Sequence, residues 1–526
     1  MRFFNTAGPV NCQDHYCLPP LQRFDLDAVM SLIGQKKYFL LHAPRQTGKT
    51  SCLLALMTHL NQGDVYRALY ANIEAAQAVR EDVTAGITAV VQTIAERART
   101  MLGETETNGL ALEVLAQQGA ATALQTFLSR WCEQSPQPRV LLLDEVDALV
   151  GDTLISLLRQ LRGGYDTRPA HFPHSIVLCG VRDLQDYRIH SAREKAVITG
   201  GSAFNIKAES LRLGNFARQE VETLLAQHTQ ETGQLFTAPA RELIWDLTSG
   251  QPWLVNALAY EVTFKMPEGR VRTAAITAEM IEQAKEQIIE RRDTHIDQLQ
   301  HKLAEPRVRR VIEPLLAGEQ AATHLPTDDV NYVYDLGLIR RDAGQIAVAN
   351  RIYQEVIPRE LTFSTQLMID AQPAWYVLPD GRLDLSKLLA AFQQFFREQS
   401  EAWLEQFEYQ EVGPQLLMQA FLQRIVNGGG RVEREYGLGR RRIDLLVIWP
   451  HPGGVQRSVI ELKLLRQSPG QTLTNGLAQT WAYADTCAAD EAHLVIFDRR
   501  PGRSWEKRIY RRDEIYQQRL ITVWGV

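Results

Sequence analysis

The spacing of apolar residues changes twice along this chain of 526 residues. In the first part, short apolar runs alternate with stretches long enough for a crossover helix; the runs are YFLLHA, VYRALYANI, VLLLDEV and SIVLCGV. Runs of this length, bounded by polar or glycine-containing turns, are typical of buried strands in a parallel sheet with helices on its faces. We therefore predict an α/β core over residues 1–205.

After Leu211 the spacing becomes that of helices only, as in ARQEVETLLAQHTQ and ARELIWDLTSGQPWLVNALAYEV. This pattern predicts a helical lid over residues 206–300. The later stretch DDVNYVYDLGLIRRDAGQIAVANRIYQEVI predicts a helix, a glycine turn, a small hairpin and another helix, which is the order of a winged-helix module. We assign that module to residues 301–370 and a helical linker to residues 371–412.

Strand patterns return in residues 413–526. The predicted order is a helix (PQLLMQAFLQRIV), three strands (RVEREYG, RRIDLLVIW, RSVIELKLL), a helix (LTNGLAQTWAYAD) and two strands (AHLVIF, LITVWG). This order predicts a separate C-terminal α/β domain.

Composition limits the classes of function. The net charge is −5, so any nucleic-acid surface must be local. No stretch approaches the roughly 20 apolar residues of a spanning helix, and the N-terminus has no apolar signal region, so we predict a cytoplasmic protein without membrane association. The six cysteines are scattered without a CxxC pair, and we predict that all are reduced and packed as small apolar residues.

A phosphate-binding loop is predicted after the first apolar run. Residues 43–50 precede a helical run and match the pattern GxxxxGK[ST], with Ala43 in place of the first glycine. The spacing lets backbone N–H groups curl round phosphates at a helix N-terminus, with Lys49 reaching the β- and γ-phosphates and Thr50 binding Mg²⁺. The predicted nucleotide-contacting residues are Ala43, Pro44, Arg45, Gln46, Thr47, Gly48, Lys49, Thr50 and Ser51.

The third apolar run ends in two carboxylates. We predict that Asp144 belongs to the Mg²⁺ shell and that Glu145 polarises the attacking water. Either motif alone would also suit an ordinary glycine turn or an acidic loop, but both in order favour an ATP–Mg²⁺ site. Arg182 ends the fourth run, where it would stabilise charge on the γ-phosphate or, alternatively, form a surface ion pair.

These features together resemble one family. The phosphate-binding loop, the LLLDEVD strand, the strand ending at Arg182 and the turn Gly250-Gln251-Pro252 are similar to the signal-transducing (STAND-like) and archaeal-type branch of AAA+ ATPases, over roughly Pro20 to Val262. The resemblance implies ATP and Mg²⁺ as cofactors and an adenine contact by Pro252. By residue spacing alone, that glycine and proline also suit a plain helix boundary.

The C-terminal domain carries a second acidic motif. Glu461 and Lys463 lie two residues apart on one predicted strand, so both project from the same face, and the neighbouring strand can bring Asp444 alongside. Two carboxylates and a lysine suit Mg²⁺ binding and phosphodiester hydrolysis. Charges on edge strands are, however, commonly just solvated. From Arg431 to Val526 there are 16 Lys and Arg against 11 Asp and Glu, a local positive balance that favours phosphate contacts.

This strand pair, followed by Gln479 and Tyr483 on a helix, resembles the PD-(D/E)XK nuclease superfamily, particularly its RecB-like branch. The resemblance implies a restriction-endonuclease-like fold in which Asp444 and Glu461 bind metal, Lys463 is catalytic, and Gln479 and Tyr483 support the site or contact DNA. Many members carry a glutamate on the first helix, where this sequence offers Gln415 and Gln419.

The preferred hypothesis is an ATPase that controls a Mg²⁺-dependent DNA nuclease, a combination that by analogy suits defence or mobile-element biology. The first alternative is a non-cleaving, ATP-switched scaffold that binds DNA or a signalling partner. The second is a DNA-loading or remodelling motor, which would need a homo-oligomer and an arginine supplied by a neighbour, with Arg188 and Arg193 as candidates. DNA is therefore the expected partner, and self-assembly stays open.

Overall fold

A computed structural model of the chain defines two compact units, residues 1–295 with 326–345 and residues 296–325 with 346–526. Each unit is described by itself. The structure describes residues 1–79, 82–182, 188–190, 197–199, 207–291, 294–317, 325–342, 345–361, 375–404, 417–419, 421–422, 430–438, 441–465, 468–498, 500 and 503–526.

The strands that begin in the first unit are β1 (Phe3–Phe4), β2 (His15–Tyr16), β3 (Tyr38–His42), β4 (Arg67–Asn72), β5 (Arg139–Asp144), β6 (Ser175–Gly180), β7 (Arg188–His190), β8 (Val197–Thr199), β9 (Lys207–Arg212), β10 (Ile339–Asp342) and β11 (Gln345–Val348). The α-helices that begin there are α1 (Leu26–Gly34), α2 (Lys49–Gln62), α3 (Val83–Leu102), α4 (Thr107–Gln117), α5 (Ala123–Glu133), α6 (Gly151–Gly163), α7 (Arg218–Thr232), α8 (Ala238–Thr248), α9 (Pro252–Tyr260), α10 (Ala278–Arg291) and α11 (Thr294–Leu303), followed along the chain by α12 (Pro306–Ala317) and α13 (Thr327–Asp335).

A five-stranded parallel sheet forms the centre of this unit, in the order β4-β5-β6-β3-β9. Successive residues of each strand face opposite sides, and both sides are buried. Leu141 and Leu143 of β5 pack with α3, α4, α5 and α6, whereas Val140 and Leu142 pack with α1 and α2. The predicted parallel-sheet α/β fold is thus confirmed, with β9 as a further strand that the sequence pattern did not predict.

The turn at Gly250 requires glycine. Gly250 has φ +73°, its carbonyl accepts a hydrogen bond of 2.8 Å from the Phe216 backbone N–H, and a Cβ there would lie 2.0 Å from the Phe216 carbonyl oxygen. The chain can approach itself this closely only without a side chain. The turn leads directly into α9, whose first residue is Pro252.

The N-terminal segment corrects one expectation. Cys12 and Cys17 form a disulfide, with their Cα atoms 5.4 Å apart, so the prediction of reduced cysteines is wrong for this pair. Neither residue lies in an apolar run; a turn closed by the hydrogen bond from the Asp14 N–H to the Asn11 carbonyl brings them together. The cysteines at positions 52, 132 and 179 are free and buried, as expected.

The remaining strands are β12 (Arg431–Leu438), β13 (Arg441–His451), β14 (Gly454–Leu464), β15 (Glu491–Phe497), β16 (Tyr510–Tyr516) and β17 (Arg519–Gly525). The remaining α-helices are α14 (Arg351–Leu361), α15 (Leu385–Leu404), α16 (Pro469–Thr486) and α17 (Trp505–Arg508). The strands of the second unit form a sheet in the order β12-β13-β14-β15-β17-β16, in which β12, β13 and β14 are antiparallel and β14, β15 and β17 are parallel. Helix α16 packs on one face, in a cluster that includes Leu446, Val459 and Leu494.

Helices and strands therefore occur where the lid, the winged-helix-like module and the C-terminal domain are predicted, but the assignment of those folds stays a prediction. The expected helix PQLLMQAFLQRIV lies mostly outside the described residues, including Gln415. Across the parts of the chain that the structure describes, the helices are too short or too polar to cross a bilayer.

Candidate functional site

The phosphate-binding loop lies between β3 and α2. Gly48 has φ +94° and Gln46 has φ +59°, so two left-handed residues turn the backbone into the N-terminus of α2. The Lys49 amine donates to the carbonyls of Ala43 (2.9 Å) and Pro44 (3.0 Å), and the Thr47 hydroxyl donates to the latter at 2.8 Å. The loop thus has the shape of a phosphate-binding loop, and its lysine is hydrogen-bonded to backbone carbonyls of the same loop.

The loop is linked to β5 through Thr50. The Thr50 hydroxyl donates to Asp144 Oδ2 at 2.7 Å, and Asp144 is fully buried. A hydroxyl and a carboxylate at this separation fit the oxygen ligands that Mg²⁺ prefers. The sequence-predicted metal residues are therefore brought together.

Glu145 follows directly, with φ +58°, which is uncommon for a non-glycine residue and common at functional sites. Burial, and then the charge of Asp147, raise the pKa of the Glu145 carboxyl above its ordinary value. A carboxyl with a raised pKa accepts a proton more readily near neutral pH, which suits a group that activates water.

Arg182 comes two residues after β6, and its guanidinium lies 5.1 Å from the ring centroid of Tyr332 on α13. Asp183, the next residue in the sequence, is outside the described residues. So is Arg193, and the structure describes only the backbone of Arg188, within β7.

A cavity of about 140 Å³ opens beside the loop. Its lining includes Gln46, Thr47, Gly48 and Ser51 of the loop region, Pro252 of α9, and a wall from the N-terminal segment that includes Asn5, Gly8, Val10 and Cys17. The Val10 N–H donates to Ser51 Oγ at 2.9 Å, and the Trp253 indole N–H donates to the Thr6 carbonyl at 2.9 Å. Pro252 therefore shares one cavity with the phosphate-binding loop.

His295 connects the loop with α9. Its Nδ1 lies 2.5 Å from Gln46 Oε1, and its ring stacks on Trp253 with centroids 4.8 Å apart. Burial lowers the pKa of His295 to about 4, so the ring is neutral at physiological pH. The apex of the loop is thus held by an uncharged ring.

The second unit brings Asp444, Glu461 and Lys463 together. Strands β13 and β14 pair with Leu445 opposite Ile460, a register that places Asp444 beside Glu461. The Leu462 N–H donates to Asp444 Oδ2 at 2.8 Å, and the Lys463 amine lies 2.5 Å from Glu461 Oε1.

Glu461 is only 2% exposed, and within the part of the chain that the structure describes its Oε2 is buried without a hydrogen-bond partner. Burial, and then the charge of Asp444, raise its pKa to about 8. A buried carboxylate oxygen without a donor is costly, and a cation bound between the two acids would satisfy it. The residues therefore fit a divalent cation, although no cluster of three or more acidic, His or Cys ligands exists among the described residues.

The two proposed supporting residues behave differently. Both lie on α16, which covers the sheet face that carries Val459 and Glu461. Tyr483 is buried in the core cluster, while Gln479 is exposed. Tyr483 can therefore support the site by packing, and Gln479 is accessible to a ligand.

Sequence reasoning missed several residues around the first site. Tyr70 donates its hydroxyl to Asp144 Oδ2 at 3.0 Å, His295 contacts Gln46 of the loop, and Trp253 stacks on His295. The N-terminal wall of the cavity was also missed. The one sequence signal is Trp253 directly after Pro252, because a large aromatic residue beside a predicted base contact commonly lines the pocket.

Residues 33–187 match the family model described as an AAA domain. Together with the parallel sheet and the phosphate-binding loop, this match makes the core a P-loop ATPase domain of the AAA+ type. None of the curated proteins matches the chain.

Solved structures are similar at low identity. A Walker-type ATPase of Pyrococcus abyssi is 13% identical over 67% of this chain and 99% of its own, with a TM-score of 0.46. The RuvB Holliday junction branch migration motor of Thermotoga maritima is 13% identical over 64% and 95%, with a TM-score of 0.31. Cdc6p from Pyrobaculum aerophilum is 13% identical over 65% and 93%, with a TM-score of 0.33. At these values none of the three bears on what the chain does.

Proposed function

We propose that the first unit binds and hydrolyses ATP with Mg²⁺ at the loop of residues 43–51. When bound, Mg²⁺ supplies positive charge that offsets the charge of the phosphates. The loop N–H groups bind the phosphates, and the Lys49 amine exchanges the carbonyls of Ala43 and Pro44 for phosphate oxygens. Thr50 and Asp144 hold the metal, Glu145 accepts a proton from the attacking water, and Arg182 stabilises charge on the γ-phosphate.

The cavity beside the loop is the proposed base site. Pro252 offers an apolar surface, and residues of the N-terminal segment line another part of the cavity. A mostly apolar cavity with a few polar groups is the usual form of such a site.

The second unit is proposed to hydrolyse DNA phosphodiester bonds under the control of ATP, with Mg²⁺ held by Asp444 and Glu461. One observation carries this proposal: Glu461 is buried beside a second acid, with Lys463 as a neighbour and one oxygen unsatisfied. A carboxylate with a purely structural role would instead be surrounded by donors. In the reaction, Lys463 offsets charge on the nucleophile or transition state, while Tyr483 packs behind the site and exposed Gln479 contacts DNA.

A second candidate is a non-cleaving, ATP-switched protein that binds DNA or a signalling partner. Gln419 favours it, because many members of the nuclease superfamily that this domain resembles carry a glutamate on the first helix, where this residue supplies an amide that is 3% exposed. Two arginines of this positively charged region are also engaged: the Arg500 Nη2 atom lies 2.7 Å and the Arg503 Nε atom lies 3.7 Å from Asp498 Oδ2.

The test is Mg²⁺-dependent cleavage of linear, circular and single-stranded DNA, with and without ATP. Cleavage should fall about 100-fold or more in Lys463→Ala. The exposed Lys507 provides a matched control, since Lys507→Ala removes one lysine from the same unit without touching the acids. Lys49→Ala should change the ATP dependence of cleavage.

The outcomes separate the candidates. Loss of DNA cleavage in Lys463→Ala, with cleavage retained in Lys507→Ala, supports an ATP-controlled nuclease. Absence of cleavage on every substrate, with ATP turnover intact, favours the non-cleaving switch. Self-assembly and a role in defence stay proposals that this assay does not address.

A further inference from the structure

The Asp144 carboxylate is surrounded by donors from three different elements. Its Oδ1 accepts the Glu145 backbone N–H at 2.9 Å, and its Oδ2 accepts the hydroxyls of Thr50 at 2.7 Å and Tyr70 at 3.0 Å. Of these groups, Thr50 is itself a proposed metal ligand, so the other donors must hold the carboxylate when the metal binds.

Tyr70 reaches Asp144 because of the register of two strands. In the pairing of β4 with β5, Asn72 lies opposite Asp144 and Tyr70 lies opposite Leu142. The ring is 3% exposed, in the same apolar cluster as Leu142 and Cys179. The packing therefore fixes a hydroxyl at the carboxylate.

We infer that Tyr70 is a positioning residue for magnesium: its hydroxyl holds the Asp144 carboxylate in the orientation that the metal shell needs. The inference rests on the nucleotide site proposed above. Removing a residue that hydrogen-bonds to a metal ligand typically lowers metal affinity by about 10- to 100-fold. A merely structural hydroxyl would change stability but not metal affinity.

The chain offers a matched control on the neighbouring part of the same sheet. Tyr38 of β3 is also fully buried, and its hydroxyl donates to the Pro173 carbonyl at 3.1 Å. Tyr70→Phe and Tyr38→Phe each remove one buried hydroxyl and one hydrogen bond. Only the first removes a donor to Asp144.

The experiment uses the full chain. A fluorescent ATP analogue in EDTA measures nucleotide affinity without metal, and Mn²⁺ titration of the nucleotide-loaded chain, followed by electron paramagnetic resonance, measures metal affinity. We expect Tyr70→Phe to weaken Mn²⁺ binding about 10-fold and to leave nucleotide affinity in EDTA unchanged. Tyr38→Phe should change neither quantity. In an Asp144→Asn background, Tyr70→Phe should have no further effect on Mn²⁺ binding, since its action passes through that carboxylate.

Unchanged Mn²⁺ affinity in Tyr70→Phe, or an equal change in Tyr38→Phe, overturns the assignment. So does an undiminished effect in the Asp144→Asn background. A Tyr70→Phe chain that does not fold while Tyr38→Phe folds also overturns it, because the hydroxyl would then serve the fold itself. A wild-type chain that binds no nucleotide overturns the proposed function together with this inference, whereas normal binding with no Tyr70 effect overturns the inference alone.

Discussion

Asp144 and Glu461 are both buried carboxylates near the end of a strand, but their surroundings differ. The two oxygens of Asp144 accept three hydrogen bonds from a backbone N–H and two hydroxyls. Glu461 has one oxygen beside Lys463 and one without a partner, with Asp444 alongside. The first site can hold its negative charge without a metal, whereas the second is electrostatically incomplete. Bound metal should therefore change the unfolding free energy little at the first site and raise it at the second.

The largest expected effect is on ATP hydrolysis, which should depend on Lys49 and not on Lys463. Lys49→Ala should lower ATP hydrolysis by about 100-fold or more, because it removes the amine that contacts the phosphates, and Lys463→Ala should leave hydrolysis unchanged. Phosphate release by the full chain without DNA measures both. Loss of hydrolysis in Lys463→Ala would contradict the separation of the two sites.

Magnesium without nucleotide should stabilise the unit that carries Glu461. At a Mg²⁺ concentration of about 100 times its dissociation constant, the gain in unfolding free energy is about 2.7 kcal/mol. Glu461→Gln should abolish the gain, and Asp144→Asn should leave it intact. Scanning calorimetry of the full chain with Mg²⁺ and with EDTA measures it, and an equal gain in Glu461→Gln would refute the metal site.

The smallest expected effect is on the unfolding free energies of the two units, which should depend on pH in opposite directions. The pKa of His295 is lowered to about 4, so below its ordinary 6.5 the unfolded state binds the extra proton and the unfolding free energy of the first unit falls with falling pH. The pKa of Glu461 is raised to about 8, so above its ordinary 4.5 the native state holds the extra proton and the unfolding free energy of the second unit falls with rising pH.

Each group contributes at most about 1.4 kcal/mol per pH unit. Metal-free unfolding from pH 5 to 8 measures both slopes, and His295→Phe and Glu461→Gln should each flatten only one of them. A single variant that flattened both slopes would contradict the contrast between the sites.

Much of the first site follows from local sequence. The phosphate-binding loop and the LLLDEVD run are short, contiguous patterns, and strand-then-helix context was enough to predict that Thr50 and Asp144 meet. Tyr70 could not be found in this way, because one tyrosine in an apolar strand is ordinary. Only the register of β4 against β5 brings its hydroxyl to the carboxylate, and register depends on packing over the whole sheet.

Charged strands were the other source of error. Strand β9, with the sequence KAESLR, and edge strand β16, with the sequence YRRDEIY, lack the apolar runs that predicted their neighbours. The disulfide was missed because Cys12 and Cys17 are joined by a local turn, and neither spacing nor composition marks such a turn. Glu461 and Lys463 were predicted to share a face because the i, i+2 geometry of a strand is strictly local, and Asp444 was predicted beside them as a residue of the neighbouring strand.

The N-terminal wall of the cavity has a practical consequence for dissecting the chain. A fragment that began at residue 33, where the AAA family match starts, would retain every residue of the phosphate-binding loop but lose Val10, Cys17 and Arg23. The donor to Ser51 Oγ would disappear, together with the Arg23 contacts to the carbonyls of Thr47 (3.4 Å) and Gly214 (2.6 Å). Such a fragment would show weak nucleotide affinity even with an intact loop, and truncation at a family boundary would understate what the full chain binds.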